Sequence, residues 1–443
     1  MNRMQRSGPF WLVVCCGISL LWGISVQRSS QSAMSDFKAV YYGARCLIQH
    51  GDPYNVNEWL REYRADGGQL PSDPTMSWQF HRAVPVFINL PTTLLLISPL
   101  AMLAWGPAHI IWMFLLAGGL LLAAFLMWKL AGNYAPGVSL FLICLVLINC
   151  ELIFSSGRSA VIAICLCVVA AWCFLQERFV PAGILCMAVS LVIKPHDAGL
   201  VWLFFVLLGG VYRKRALQTL LFTVILSIPA VLWVSQVSPH WIEEWHSNLA
   251  ASSARGGLGD PGPTSLNMSK PDKIIDLQTV ISLFRDEPSF YNPTSYLIGG
   301  ALLLLGAFHT LRFGCSQKNA WIALAAIAAL SMLPIYHRQY DAKMLLLTVP
   351  ACAMLWSEGG FIGRFAFAFN AAGIILTGDI PLEILTNIYN NLHLNSTGYY
   401  GKILTVLLMR PAPVILLMLG TFYLWVYLRR ALPESASVTK VAK

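Results

Sequence analysis

Residues 107–131 read PAHIIWMFLLAGGLLLAAFLMWKLA and carry a single charged side chain, Lys129, near their end. An apolar helix of this length is long enough to span the hydrocarbon core of a bilayer, which needs about 20 residues. Over all 443 residues, 57% are hydrophobic and only 12% are charged. A soluble domain carries roughly twice that share of charged residues. The sequence therefore predicts an all-α, polytopic membrane protein.

Similar apolar runs recur along the chain and predict about twelve membrane-spanning helices. They lie at 9–27, 107–131, 136–154, 159–175, 180–193, 196–211, 216–235, 295–312, 320–335, 342–357, 361–378 and 402–428. A further run, 86–104, is broken up by prolines, so we expect a re-entrant or interfacial element there. The first run follows a basic N-terminus. We interpret it as a retained signal anchor, with a cleaved signal peptide as the alternative.

The distribution of charge predicts which segments face the cytoplasm. With both termini and residues 213–215 inside, the cytoplasmic segments hold 14 cations and 3 acids, and the rest of the chain holds 16 cations and 18 acids. This asymmetry follows the positive-inside rule. It accounts for the net charge of +9 without a nucleic-acid partner. The expected location is a bacterial plasma membrane, with membrane lipids as partners.

The predicted topology gives one domain, residues 1–431, followed by a cytoplasmic tail at 432–443. Two long loops lie outside, at 28–106 and 236–294. The first mixes aromatic residues with balanced charge, which favours amphipathic helices on the membrane surface. Within it, Gly51-Asp52-Pro53-Tyr54-Asn55 indicates a turn. In the second, the glycine-rich residues 254–263 predict a mobile loop.

The predicted outer face collects the polar residues that are unusual in a membrane protein. Short turns between spans keep such groups at the bilayer rim, where they can face one shared cavity. A cation within a span costs a few kcal/mol on insertion scales, so Arg410 is expected to have a partner or an anionic ligand. The residues are Asp36, Arg158, Lys194, His196, His337, Arg338 and Arg410.

These residues also have structural interpretations. Asp36 can be a solvated interface residue, and Lys194 can anchor a helix end by snorkelling. Arg158 can pair with Glu151, which precedes it by one to two helical turns. Residues 337–341 can form a local salt-bridge cap.

A sugar donor that is linked to a lipid phosphate would need both several cations and a carboxylate in its site. Its phosphate lies at headgroup level, where Arg, Lys and His neutralise charge as the sugar departs. A carboxylate on the other side of the sugar can accept the proton of the attacking hydroxyl. The sequence contains no P-loop or Rossmann signature, which fits a donor that carries its own energy.

Several short motifs occur in a specific order. They are Asp36-Phe37, Tyr41-Tyr42-Gly43-Ala44-Arg45, Gly51-Asp52-Pro53-Tyr54, Phe87-Ile88-Asn89-Leu90-Pro91, Ser98-Pro99-Leu100, Gly157-Arg158-Ser159-Ala160, Ala182-Gly183, Ile193-Lys194-Pro195 and His337. In this order the chain resembles the GT-C superfamily of integral-membrane glycosyltransferases. Within it, the chain is most similar to glycosyltransferase family 87, the polyprenyl-phosphate-mannose-dependent α-mannosyltransferases. The resemblance covers most of the first 215 residues and returns at 331–350.

The resemblance implies a GT-C fold and an inverting transfer of a sugar, mannose in that family, to an extracytoplasmic lipid or glycan acceptor. It implies that Asp36 is the general base and that His337 contacts the donor phosphate. Arg158 stands where the family commonly has glutamine, and residues 89–91 replace a Tyr-Pro-Pro motif. The resemblance therefore does not specify which sugar is transferred or which acceptor receives it.

The remaining candidate site residues come from the charge and aromatic pattern. The predicted ligands of the donor phosphate, besides His337, are Arg338, Lys194, Arg158 and Arg410. The predicted substrate-binding residues are Tyr41, Tyr42, Trp78 and His196, although the aromatic residues among them also fit an interfacial belt. The first outer loop contains no Asp-x-Asp pair, so we expect no cofactor and no metal. Dependence on a divalent metal ion stays an alternative.

Three alternatives remain. The same fold can use a pentosyl donor such as an arabinofuranosyl carrier. An O-antigen-ligase-like enzyme also combines outer His and Arg residues. A solute transporter or lipid flippase belongs to a different class, and it should show inverted repeats with charges near the midplane.

Overall fold

The computed structural model describes residues 3–30, 33–263, 273–391 and 398–430, and these segments are almost entirely helical. The predicted tail at 432–443 lies outside the described residues. Within the described segments, the only β-type pairing is one antiparallel bridge between Ile274 and Arg338. A 3-10 helix, Gln339–Leu347, precedes α17. The α-helices are α1 (Arg3–Ser29), α2 (Ser35–Ile48), α3 (Val56–Ala65), α4 (Pro74–Ala83), α5 (Pro91–Ala101), α6 (Trp105–Ala131), α7 (Pro136–Ile148), α8 (Glu151–Ser156), α9 (Ser159–Gln176), α10 (Val180–Ile193), α11 (Pro195–Leu208), α12 (Gly210–Val237), α13 (Trp241–Ser253), α14 (Leu277–Phe284), α15 (Pro288–Phe313), α16 (Gln317–Leu330), α17 (Thr348–Glu358), α18 (Gly360–Leu376), α19 (Asp379–Asn391), α20 (Tyr399–Met409) and α21 (Pro411–Arg430).

Long apolar helices make this chain a helical membrane protein, as the sequence predicted. In the described part of the chain, seven helices are long and apolar enough to cross a bilayer. They are Ser7–Ser29, Trp105–Ala131, Pro136–Ser156, Ser159–Gln176, Gly210–Val237, Pro288–Phe313 and Pro411–Arg430. The pair α18 and α19, bent by 70°, raises the number to eight if it forms one broken span.

The other predicted spans correspond to short or broken helices. The runs 180–193 and 196–211 fold as α10 and α11, with 14 residues each. At 1.5 Å per residue such a helix is about 21 Å long, which is shorter than a hydrocarbon core of about 30 Å. The run 402–428 is interrupted at Arg410, between α20 and α21. The number of twelve spans therefore stays a prediction.

The first predicted outer loop folds as four short helices, α2 to α5. The turn at 51–55 ends in Asn55, whose side chain accepts a hydrogen bond from the backbone N–H of Asn57 and so caps α3. The proline-interrupted run contains the 11-residue α5, which packs against α2 and α12. Thr92 Oγ1 donates to the carbonyl of Val192 at 2.5 Å, which fixes α5 beside the end of α10.

Helix α9 is the centre of the bundle and is buried on almost every side. It packs against α6, α10, α11 and the 3-10 helix. Small residues allow this packing: a Cβ on Gly183 of α10 would lie 2.6 Å from Cβ of Cys173. Helix α1 is fixed by polar contacts, since Ser19 Oγ donates to the carbonyl of Leu147 at 2.7 Å. A polar side chain in an apolar bundle needs such a partner.

The contacts between turns fall into two groups. In the first group, Arg215 donates to the carbonyl of Phe174 at 2.7 Å and lies 3.6 Å from Glu177. Arg430 pairs with Glu358 at 2.9 Å. These contacts join turns that the predicted topology assigns to the cytoplasm. The turns assigned to the outside contact one another elsewhere, around Asp36 and Lys194.

Gly157 gives a test of how the bundle positions α2. It has φ +70°, and a Cβ there would lie 2.8 Å from Cβ of Phe37 and 2.8 Å from Cε of Met34. We expect Gly157→Ala to lose about 1–2 kcal/mol from the left-handed backbone alone, and more because α2 must shift. Thermal unfolding in detergent measures the loss. Gly67→Ala is the matched control, since Gly67 has φ +80° and open space around it. Equal losses for the two variants would contradict this packing.

Candidate active site

Asp36 and Arg158 form an ion pair between two distant parts of the chain. Asp36 lies in the first turn of α2, and Arg158 directly precedes α9. Nη1 of Arg158 donates to Oδ2 of Asp36 at 2.6 Å, and Nε donates to Oγ of Ser156 at 2.9 Å. The sequence had left Glu151 as a partner for Arg158, but the structure provides Asp36. Asp36 is thus a paired, partly buried carboxylate.

Tyr340 connects this pair to the second half of the chain. The guanidinium carbon of Arg158 lies 4.5 Å from the centre of the Tyr340 ring. The Lys194 ammonium lies 5.3 Å from the same ring. Both distances are within the range of cation–π attraction. Four turns that were predicted to lie outside, at residues 34–36, 157–158, 194–197 and 336–341, therefore meet.

Lys194 carries the central charge of this cluster. It stands at the break between α10 and α11, where Pro195 begins the second helix. Its Nζ lies 2.5 Å from Oδ1 of Asp341 and 3.2 Å from Oδ2 of Asp197. Burial lowers the pKa of Lys194, but the two carboxylates outweigh it and the net pKa is raised. Lys194 is therefore a mostly buried, paired cation and does not snorkel.

His337 lies on the other side of Asp197. Its Nε2 is 3.2 Å from Oδ1 of Asp197, and its Nδ1 is 3.0 Å from the carbonyl oxygen of Ile335. Burial lowers the pKa of His337, but the adjacent Asp197 carboxylate outweighs it and the net pKa is raised. The backbone here is fixed because Ile275 N–H donates to the carbonyl of His337 at 2.9 Å.

Arg338 and Arg410 contact the second outer loop. Arg338 donates to the carbonyl of Leu258 at 2.6 Å. Arg410 donates to the carbonyls of Pro261 and Gly262 at 2.9 and 3.1 Å. The contact of Arg338 ties this loop to the segment that carries His337, and the contacts of Arg410 tie it to the break between α20 and α21. Both arginines were predicted to bind donor phosphate, and the glycine-rich loop was predicted to be mobile. In the structure the arginines hold that loop.

The four predicted substrate-binding residues are not brought together. Tyr41 and Tyr42 are buried within the packing of α2, and their hydroxyls donate to the carbonyl of Leu103 at 2.7 Å and to Oδ2 of Asp66 at 3.0 Å. Trp78, on α4, is 47% exposed, and the guanidinium of Arg82 lies 4.8 Å from its ring.

His196 differs from those three aromatic residues because the structure places it at the cluster. Its ring meets that of His337 edge-on, with 5.1 Å between the ring centres. The same turn carries Lys194 and Asp197, which both belong to the cluster. Of the predicted substrate-binding residues, His196 is therefore the one that stays in the candidate site.

Tyr340, Asp341 and Asp197 belong to the cluster, although they were not among the predicted site residues. The sequence contained an indication of the two acids, because each of them stands within three residues of a predicted site cation in the same turn. A charge that is buried needs a partner of opposite sign. Each predicted outer cation therefore implied a carboxylate on its own turn or on a neighbouring one.

No protein-family model, no curated protein and no solved structure matches this chain. The resemblance to the GT-C superfamily and to family 87 therefore stays a prediction.

Lys194→Met tests the buried ion network. It removes the cation between Asp341 and Asp197, and breaking a buried pair in this way costs about 3–5 kcal/mol. We expect a lower unfolding temperature in detergent. Arg285→Met, which loses an exposed pair with Glu287, is the control and should change little. Adding Asp341→Asn to Lys194→Met should recover part of the loss. A double variant whose loss equals the sum of the two single losses would contradict the coupling.

Proposed function

We propose that this chain is a membrane-embedded glycosyltransferase of the GT-C type. It moves a sugar, mannose by the family resemblance, from a polyprenyl-phosphate carrier to a lipid or glycan acceptor on the extracytoplasmic face of a plasma membrane. The observation that carries the proposal is the line of contacts from Asp36 through Arg158 and Tyr340 to Lys194. It sets a carboxylate at one end and a cation beside an imidazole at the other.

Asp36 is the general base in this proposal. The acceptor hydroxyl oxygen attacks the anomeric carbon from the face opposite the phosphate, and its proton passes to the carboxylate. The bond between the anomeric carbon and the phosphate oxygen breaks, and its electron pair leaves with the phosphate. Arg158 contacts Oδ2 of Asp36, so Oδ1 can face the hydroxyl. Arg158 is thus a positioning residue for the base and not a phosphate ligand.

Lys194 and His337 stand at the phosphate end of the site. As the sugar leaves, negative charge accumulates on the phosphate, and fixed cations in a water-poor site stabilise it strongly. Asp341 keeps Lys194 charged in its buried position. Arg338 and Arg410 contribute by holding residues 258–262 against this region.

Asp36→Asn tests the base directly. The amide keeps the shape of the carboxylate but cannot accept the proton, so we expect transfer to fall by about 10²–10⁴-fold while donor binding persists. The measurement is the movement of radiolabelled sugar from carrier to acceptor, with retention of labelled donor as the binding assay.

Asp66→Asn is the matched control for Asp36→Asn. It also loses an aspartate that is paired with an arginine in the first outer loop, at 3.1 Å from Arg45. We expect it to keep transfer. Rapid turnover by Asp36→Asn, or an equal loss in both variants, would contradict the assignment of the base.

A transporter is the second candidate function, and broken helices support it. The chain is interrupted at Lys194, between α10 and α11, and at Arg410, between α20 and α21. Discontinuous helices with charged groups at the breaks are common in transporters. A transporter would move a lipid carrier intact, whereas the enzyme cleaves its sugar–phosphate bond. Release of the sugar therefore separates the two classes.

A further inference from the structure

We propose that His196, Asp197 and His337 form a binding site for one divalent transition-metal ion of the zinc type. Their three ligand atoms lie within 4.8 Å of one another. Two imidazoles and one carboxylate are a frequent ligand set for such ions, and they leave further coordination positions open. The sequence predicted no metal because its first outer loop lacks an Asp-x-Asp pair, whereas these ligands come from two separate turns.

The spacing of the three atoms suits a shared ion. Nε2 of His337 lies 3.2 Å from Oδ1 of Asp197, and Nε2 of His196 lies 3.8 Å from the same oxygen. Two ligands about 2.1 Å from a tetrahedral zinc ion lie roughly 3.4 Å apart. Small side-chain rotations are therefore enough to bring the three atoms around one ion.

The same atoms are buried and make no hydrogen bond of good geometry, although Oδ2 of Asp197 lies 3.2 Å from the Lys194 ammonium. They are Nε2 of His196, Nε2 of His337 and both carboxylate oxygens of Asp197. Asp197 and His337 are 3% and 1% exposed, and leaving such groups unsatisfied costs free energy. If Nε2 of His337 carried a proton, it could donate a hydrogen bond to Asp197, but Nε2 of His196 would still have no hydrogen-bond partner. A metal ion satisfies all three residues.

The orientation of His337 is that of a metal ligand. Its Nδ1 faces the carbonyl oxygen of Ile335 at 3.0 Å, so this nitrogen carries the proton. The lone pair of Nε2 then points towards the carboxylate of Asp197. A backbone carbonyl on the remote nitrogen is a usual second contact of a metal-bound histidine, because it fixes the tautomer and the ring.

Charge gives the ion a role at the phosphate end, and this role rests on the proposed function. When the two histidines bind the ion as neutral ligands, Lys194, Asp197 and Asp341 together contribute one net negative charge. A divalent ion makes the sum positive by one. Its open positions can accept phosphate oxygens and polarise the bond to the departing sugar. Lys194 holds the second oxygen of Asp197, at 3.2 Å.

The test is the metal content of full-length protein purified in detergent without a polyhistidine tag. After loading with Zn²⁺ and gel filtration, we expect elemental analysis to find one zinc per chain in the wild type. Loading with Co²⁺ should give the visible absorption of a site with four or five ligands. His337→Ala and Asp197→Asn should lose both signals. His309→Ala is the control and should keep them, since Nε2 of His309 is also buried without a partner but its ring packs against Phe313 and Tyr427.

Wild-type protein without zinc is sufficient to reject the site, even if a variant fails to fold. Wild-type protein that retains no zinc, or zinc that persists equally in all three variants, overturns the metal site. Sugar transfer by zinc-free wild type overturns the role of the ion while leaving the proposed function intact. Zinc bound by a protein that releases no sugar from any carrier supports the site and rejects the glycosyltransferase.

Discussion

The pairing of Lys194 with Asp341 and Asp197 is the constraint on which the candidate site depends. Lys194 stays charged inside the helical bundle because two carboxylates surround it, and this pairing brings the 3-10 helix against the start of α11. Tyr340 precedes Asp341, so the same pairing places its ring beside Arg158. Arg158 in turn holds the start of α2 through Asp36. One buried ion network thus orders four turns that are far apart in the sequence.

The charged side chains of the bundle lie at or near breaks between helices. At each break, backbone groups lose their helical partners and must find others within the protein. Lys343 donates to the carbonyl of Asn149, where α7 gives way to α8, and Arg410 donates to loop carbonyls between α20 and α21. The outward faces of α12 and α15 are exposed and apolar, as lipid contact requires. The polar groups of the site are therefore confined to the interior of the bundle.

The sequence predicted the helical membrane class, the short helices of the first outer loop and the turns that carry Asp36, Arg158, Lys194 and His337. These follow from apolar length and from charge at the ends of runs. It did not predict which apolar runs break, because 14 apolar residues fit a short helix as well as a span. It also missed pairing that depends on tertiary neighbours: Arg158 contacts Asp36, and Tyr41 is buried under Trp105. The identity of a partner across the bundle is not encoded in local spacing.

The most direct test of the central claim is chemical. Purified protein in bilayers is incubated with a panel of polyprenyl-phosphate carriers, each bearing a different radiolabelled sugar, together with membrane-extracted acceptors. We expect one label to leave its carrier and to appear on an acceptor with inverted anomeric configuration, and we expect a mannosyl carrier to supply it. Labels that stay on every carrier, while a carrier crosses the bilayer intact, would contradict the proposed glycosyltransferase and identify a transporter.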